Sequence, residues 1–218
     1  MVIFDCNGVL VDSEPLATAI VSHEFMRVGF PLTPDVVARY FTGRRPADMF
    51  AEVEAAAGRK LPPDFAITVA TATLRRFRAE LRATKHATYA LSWLRGPKCV
   101  ASSSSMDRIR VSLESTDLLR FFEPNLFSAS EVRNGKPAPD LFLHAAGRMR
   151  VQPAECIVVE DSAVGVAAGV AAGMTAIGFV GGSHATGHLG NHLRAAGASA
   201  VIADLRALKS TIIDLRGW

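Results

Sequence analysis

A chain of 218 residues, 49% apolar and 21% charged, has the composition of one or two compact soluble domains with a buried core. No apolar run reaches the ~18 residues that cross a bilayer, and no charged leader with an apolar signal core opens the chain. The expectation is therefore a cytoplasmic protein without a membrane partner. A net charge of +3 would suit an anionic partner, but no basic stripe with interleaved aromatics is present, which argues against nucleic acid. The Arg44-Arg45 and Arg75-Arg76-Phe77-Arg78 clusters read first as solvated faces. Cys6, Cys99 and Cys156 stand far apart in apolar, strand-like contexts, as buried free thiols of a reducing compartment do.

In chain order, VIF (2–4) is a short β-branched and aromatic run, read as a first strand. Residues 15 to 82 then carry helical patterns one after another: PLATAIVSHEFMRVG, PDVVARYF, PADMFAEVEAAAG and PDFAITVATATLRRFRAEL. Thr33-Pro34-Asp35 and Leu61-Pro62-Pro63-Asp64 are helix-entry signals, with proline tolerated in the first turn. From residue 83 the pattern changes. Apolar strands CVAS (99–102), LFSA (126–129), CIVVE (156–160), MTAIGFV (174–180) and AVIA (200–203) alternate with helix-length segments. Ser105 and Ser162 are candidate helix N-caps, and Gly147 and Gly173 candidate helix C-termini. Continuous apolar strands of this kind belong to a parallel sheet covered on both faces. The predicted architecture is a doubly wound α/β domain (1–14 and 83–218), Rossmann-like, interrupted by an all-helical insert at 15–82.

In such a sheet, ligands bind beyond the carboxyl ends of the strands, where the strand order reverses. The residues at those ends are Asp5, Ser102, Lys136 in the loop beyond LFSA, and Glu160-Asp161. Acids, a hydroxyl and a cation converging from four segments suit phosphoryl transfer. Asp5 and Asp161, with the main-chain carbonyl of Asn7, would hold one Mg²⁺ through hard oxygens. Asp5 would attack phosphorus to form an aspartyl phosphate. Lys136 and Ser102, with nearby amides, would stabilise charge on the phosphoryl oxygens, and Ser103 continues the phosphate cradle. Gly8 would let the chain turn tightly toward the phosphate.

DCNGVLVDS, VAS, GKPAPD and VVEDS, in this order over residues 5–162, are similar to the four motifs of the haloacid dehalogenase superfamily. The helical insert after the first motif resembles the small cap of its β-phosphoglucomutase and phosphoglycolate phosphatase branch. The resemblance implies Asp5 as nucleophile, Ser102 as the phosphate-binding hydroxyl and Lys136 as the charge-stabilising lysine. It also implies Asp161 as a metal ligand, with Glu160 a ligand or a partner behind one.

Two departures qualify this. Phosphatases of the superfamily usually carry aspartate where Asn7 stands, as general acid and base, and an amide can do neither job. A backbone-carbonyl metal ligand would survive the change. The chain thus reads as able to bind and poorly able to turn over, through one substitution in otherwise intact machinery. Mutases of the branch have a histidine where Ala17 stands and an arginine where Pro46 stands, which tilts the reading to phosphatase. Gly43, Arg44 and Arg45 remain candidates for substrate contact.

Other signals are weaker. His184, His188 and His192 are spaced by four, but Gly187 and Gly190 make a continuous helix doubtful, so an exposed loop is expected. Cys6 alternates away from Asp5 and reads as packing. Asp12, past the turn, reads as a structural hydrogen-bonding residue. The sequence thus predicts a Mg²⁺-dependent phosphatase of a small phosphorylated metabolite. A sugar-phosphate mutase and a non-catalytic phosphometabolite-binding protein are the alternatives.

Overall fold

The computed structural model of the chain describes residues 1–41 and 44–216. Its six strands are β1 (Val2–Phe4), β2 (Lys98–Ser102), β3 (Leu126–Ser128), β4 (Ile157–Glu160), β5 (Thr175–Phe179) and β6 (Ala200–Ile202). They form one parallel sheet in the order β3-β2-β1-β4-β5-β6. This is the doubly wound order, and it reverses between β1 and β4. Val2 is in register with Lys98 on one side and Ile157 on the other.

The strands read as unbroken apolar runs because both faces are covered. Phe4, Val100, Val159 and Ile177 enter one buried cluster, whereas Ile3, Cys99, Ala101 and Val158 enter another on the opposite face. The three cysteines are free and buried, and burial drives the Cys6 and Cys99 thiols well above their ordinary range. They are inert packing, as the sequence suggested.

Between β1 and β2 run α1 (Glu14–Arg27), α2 (Pro34–Phe41), α3 (Pro46–Ala57), α4 (Phe65–Glu80) and the short α5 (Ala87–Trp93). The first four have an apolar cluster of their own, built on Phe25, Phe30, Met49, Val53, Phe65 and Val69. Phe25 is fully buried there, with ring centroids 4.8 Å from Phe65 and 5.8 Å from Phe50. The chain leaves and re-enters the sheet region side by side. Asp12 N–H donates to the Arg82 carbonyl, and Thr84 N–H to the Leu10 carbonyl.

The remaining helices are α6 (Met106–Ser115), α7 (Asp140–Met149), α8 (Ala163–Ala171), α9 (Leu189–Ala195) and α10 (Leu208–Arg216). Ser105 and Ser162 cap α6 and α8 by accepting from Arg108 N–H and Gly165 N–H. Gly173, with φ of 74°, follows α8. Gly147 does not end α7: the helix runs on to Met149, and Arg150 takes the left-handed turn with φ of 56°. A glycine signals the end of a helix only where that turn is made, and here a long polar side chain tolerates it. The short α5, α9 and α10 were not legible as separate patterns.

Replacing Phe25 with alanine should destabilise the protein by about 3–5 kcal/mol, the range for a buried aromatic. The midpoint of urea unfolding measures it, and a loss under ~1 kcal/mol would show that this ring does not seal the cluster.

Candidate active site

The reversal of strand order brings the ends of β1 and β4 together. Asp5 N–H donates to the Val159 carbonyl at 3.0 Å, extending the pairing one residue and setting Asp5 beside Glu160 and Asp161. The chain then turns back at once. Gly8 N–H donates to the Val11 carbonyl at 2.8 Å, with φ of 72° at Gly8. A Cβ on Gly8 would lie 1.9 Å from Asp161 Oδ2, so both backbone and space demand glycine.

Lys136, in the loop beyond β3, reaches into this junction. Its ammonium donates to Asp5 Oδ1 at 2.5 Å and to Glu160 Oε1, with the Ala101 carbonyl at 3.4 Å. The other oxygen of Glu160 accepts from Ser162 N–H (3.1 Å) and Ser162 Oγ (2.9 Å). Gly165 leaves the room that this carboxylate fills, since a Cβ there would lie 2.0 Å from Glu160 Cδ. Asp161 has a different neighbour: its Oδ2 lies 3.0 Å from His184 Nε2.

Two carboxylates thus hold one buried ammonium, and a third, Asp161, stands next to them at the edge of the site. Burial pushes the Asp5 carboxyl well above its usual range, against the pull of Lys136, and Glu160 and Asp161 add to the rise. Burial also raises Asp161, to about 6, although His184 opposes it. Burial works against the Lys136 charge, but Asp5 and Glu160 outweigh it and hold the ammonium above the ordinary lysine range. The cluster is short of positive charge.

A hard divalent cation fits that shortage. Asn7 Oδ1 is buried without a hydrogen-bond partner among the described residues, and Asp161 Oδ2 has the His184 imidazole at 3.0 Å but no well-directed hydrogen bond. The donors on offer are oxygens, as Mg²⁺ requires. Among the described residues no three His, Cys, Asp or Glu side chains form a metal cluster, so side chains alone do not complete a site.

Asp5, Asn7, Asp161, Ser102, Ser103 and Arg44 line one cleft, with an empty volume of ≈ 780 Å³ open to solvent. Its far wall is Val21, Val37, Met49 and Val69 of the helical segment. The Asn7 amide donates to Ser104 Oγ at 2.8 Å, and Ser104 N–H to Ser102 Oγ at 3.3 Å. Arg44 is held by Glu52. Arg45 pairs with Asp48 at 2.9 Å and packs over Gly135 rather than lining the cleft. Gly43 lies outside the described residues. Asp12 accepts from Ser183 N–H and Oγ, the structural tie expected of it.

Two cleft residues escaped sequence reasoning, and one expectation is overturned. Arg108 and Glu14 line the cleft although no motif marks them. His184 is not an exposed loop residue: its side chain is 15% exposed and sits on Asp161. Because α9 begins after His188, the three histidines do not share one helix face. The Gly181-Gly182 pair beside His184 was the available signal. A Cβ on Gly182 would meet the imidazole at 2.7 Å.

The comparisons agree with this architecture. A family model of haloacid dehalogenase-like hydrolases matches residues 1–173. A 6-phosphogluconate phosphatase of Escherichia coli K12 is 34% identical over 184 residues, 84% of this chain and 83% of that protein. A haloacid dehalogenase-like protein of unknown function from Agrobacterium tumefaciens has a similar structure (TM-score 0.83, 33% identity), with 99% of this chain and 98% of that one covered. A hydrolase of the same family from Deinococcus radiodurans, solved with bound phosphate and sodium, superposes with a TM-score of 0.74 at 30% identity, covering 98% and 94% of the two chains. The chain belongs to the haloacid dehalogenase-like hydrolases.

Replacing Gly8 with alanine should cost about 1–2 kcal/mol from the left-handed backbone alone. Displacement of Asp161 would add to this. A thermal melt should show a drop of at least ~3 °C at this chain length. An unchanged melting temperature would mean that the turn and Asp161 relax freely.

Proposed function

We propose that the protein is a phosphoric monoester hydrolase of small phosphorylated metabolites, working through an aspartyl phosphate on Asp5. One observation carries this: a buried carboxylate, bound by a buried lysine, opens with three serines and a second carboxylate onto one cleft at the sheet's switch point. The phosphatase name of the Escherichia coli relative and the phosphate held by the Deinococcus hydrolase support it.

In this reading Asp5 attacks phosphorus and the ester oxygen leaves. Lys136 and the Ser102-Ser103 segment balance the charge on the phosphoryl oxygens, and water then cleaves the acyl phosphate. A Mg²⁺ ion held by Asp5, Asp161 and the Asn7 carbonyl would neutralise charge shared between phosphate and carboxylates. Glu160 is assigned to holding Lys136, since both its oxygens are already engaged. Residues 15–82 act as a cap whose apolar wall excludes water from the transfer step.

Asn7 sets the rate. Its amide cannot protonate the leaving oxygen or take a proton from water, so turnover is slow. The amide is tied to Ser104 Oγ, and a hydroxyl can donate to a carboxylate as readily as it accepts from an amide. Aspartate at this position would therefore find a partner in the same place. With Ala17 and Pro46 at those two places in the cleft wall, the mutase histidine and arginine are both missing from their positions. Release to water is the expected outcome.

Asn7→Asp should raise phosphate release by ~10²-fold or more, in the range of general acid–base help. Fresh protein checked by mass spectrometry is required, because Asn7-Gly8 can deamidate. If aspartate yields no turnover on a panel of sugar phosphates, the protein is a binding protein and the hydrolase reading fails. Asp161→Asn should weaken Mg²⁺ binding, read by calorimetry, at least tenfold. Unchanged affinity would remove Asp161 from the metal site.

A further inference from the structure

One cation in the cleft has no task in this scheme. Arg108 stands in the first turn of α6, its N–H held by the Ser105 cap at 3.4 Å. Its guanidinium carbon lies 4.9 Å from the centroid of the fully buried Phe77 ring on α4. It lines the cleft with Asp5, Asn7 and Ser104. Its Nε is buried without a hydrogen-bond partner, and among the described residues no carboxylate is paired with it. The other cations nearby are engaged: Arg44 by Glu52, Arg45 by Asp48, and Lys136 by Asp5 and Glu160.

A half-buried arginine whose Nε is closed off without a partner is costly unless something completes it. The contact with Phe77 uses only the face of the guanidinium. The in-plane N–H groups, which suit an oxyanion in bidentate fashion, are left for another partner. The acid acting most on Arg108 is Glu14, ahead of Asp5, and no ion-pair contact joins them. Glu14 is itself tied to Ser13 Oγ at 3.3 Å. Arg108 therefore stands where α6 meets α4 of the helical segment at the cleft, while Lys136 holds Asp5.

We infer that Arg108 is a specificity residue that reads a second oxyanion on the substrate, remote from the transferred phosphoryl group. The inference rests on the phosphatase reading and narrows its substrate class to sugar phosphates carrying a further carboxylate or phosphate. Neutral-ended polyol phosphates are the disfavoured class.

The slow turnover expected of the Asn7 chain makes direct binding measurable. Calorimetry in Mg²⁺ would compare 6-phosphogluconate, fructose 1,6-bisphosphate, sorbitol 6-phosphate and inorganic phosphate. The unmodified chain should bind at least one of the first two ~10-fold or more tightly than sorbitol 6-phosphate, as a charge-assisted contact provides. Which of the two gains identifies carboxylate or phosphate as the second group. Arg108→Gln should abolish that preference and leave sorbitol 6-phosphate within about threefold. Arg108→Lys should keep part of it, because charge remains and the fork is lost. If the glutamine variant does not fold, the lysine variant alone decides, by reduced or unchanged preference. Equal weakening of all ligands, inorganic phosphate included, would assign Arg108 to the transferred phosphate and overturn the inference. Unchanged binding would reduce it to a stacking partner of Phe77 and overturn it too. If the unmodified chain binds none of the four, the phosphatase reading itself falls and the inference with it.

Discussion

Lys136 between Asp5 and Glu160 is the contact on which the arrangement of this molecule turns. The ammonium is closed off from water, and removing one partner of a buried pair costs about 3–5 kcal/mol. Against a typical total stability of about 5–15 kcal/mol, that constrains everything nearby. Glu160 must lie against Gly165, because any Cβ there would occupy the carboxylate's place. Ser162 must offer both its N–H and its hydroxyl to the same carboxylate while capping α8. The end of β4, the start of α8 and the loop after β3 are thereby locked to the end of β1.

That lock leaves charge unbalanced in one direction. Three carboxylates and one ammonium favour any arrangement that brings in positive charge, and the His184 imidazole beside Asp161 is one group that can carry it. A cluster that accepts a divalent ion and a phosphate together satisfies both. The proposed chemistry needs little motion at the sheet, since the donors are already placed. The opposite wall is formed by apolar side chains of α1, α2, α3 and α4, and Arg44 and Arg108 also line the cleft. In the proposed function the strand ends of the sheet take the phosphoryl group, and the helical segment with α6 takes the rest of the substrate.

Asn7 separates binding from turnover within this frame. It occupies the first turn beyond Asp5, lines the cleft, and donates its amide to Ser104. The backbone turn around it keeps its hydrogen bonds, Gly8 N–H to the Val11 carbonyl and Leu10 N–H to the Cys6 carbonyl. In the proposed function, binding depends on the placement of these donors and turnover on a proton carrier, and the two rest on different atoms.

Much of this was legible in the sequence. All six strands announce themselves as short apolar runs, because both faces of a parallel sheet are buried and no polar alternation dilutes them. Asp5, Ser102 and Asp161 could be named because strand ends are where such a sheet presents ligand groups. The helical character of residues 15–82 followed from periodicity and from prolines at helix entries. Tertiary structure alone decided the rest. Arg108 and Glu14 carry no motif, and only the packing of α4 and α6 brings them to the cleft. His184 looks like a polar loop residue until the glycines at 181 and 182 let the chain fold it onto Asp161. Arg44 and Arg45 are neighbours in sequence, yet one lines the cleft and the other turns to Asp48 and Gly135. Local pattern determines which residues are apolar, helical or extended. Which charges meet is set by contacts between segments more than a hundred residues apart, as for Asp5 and Lys136, and those depend on the whole fold.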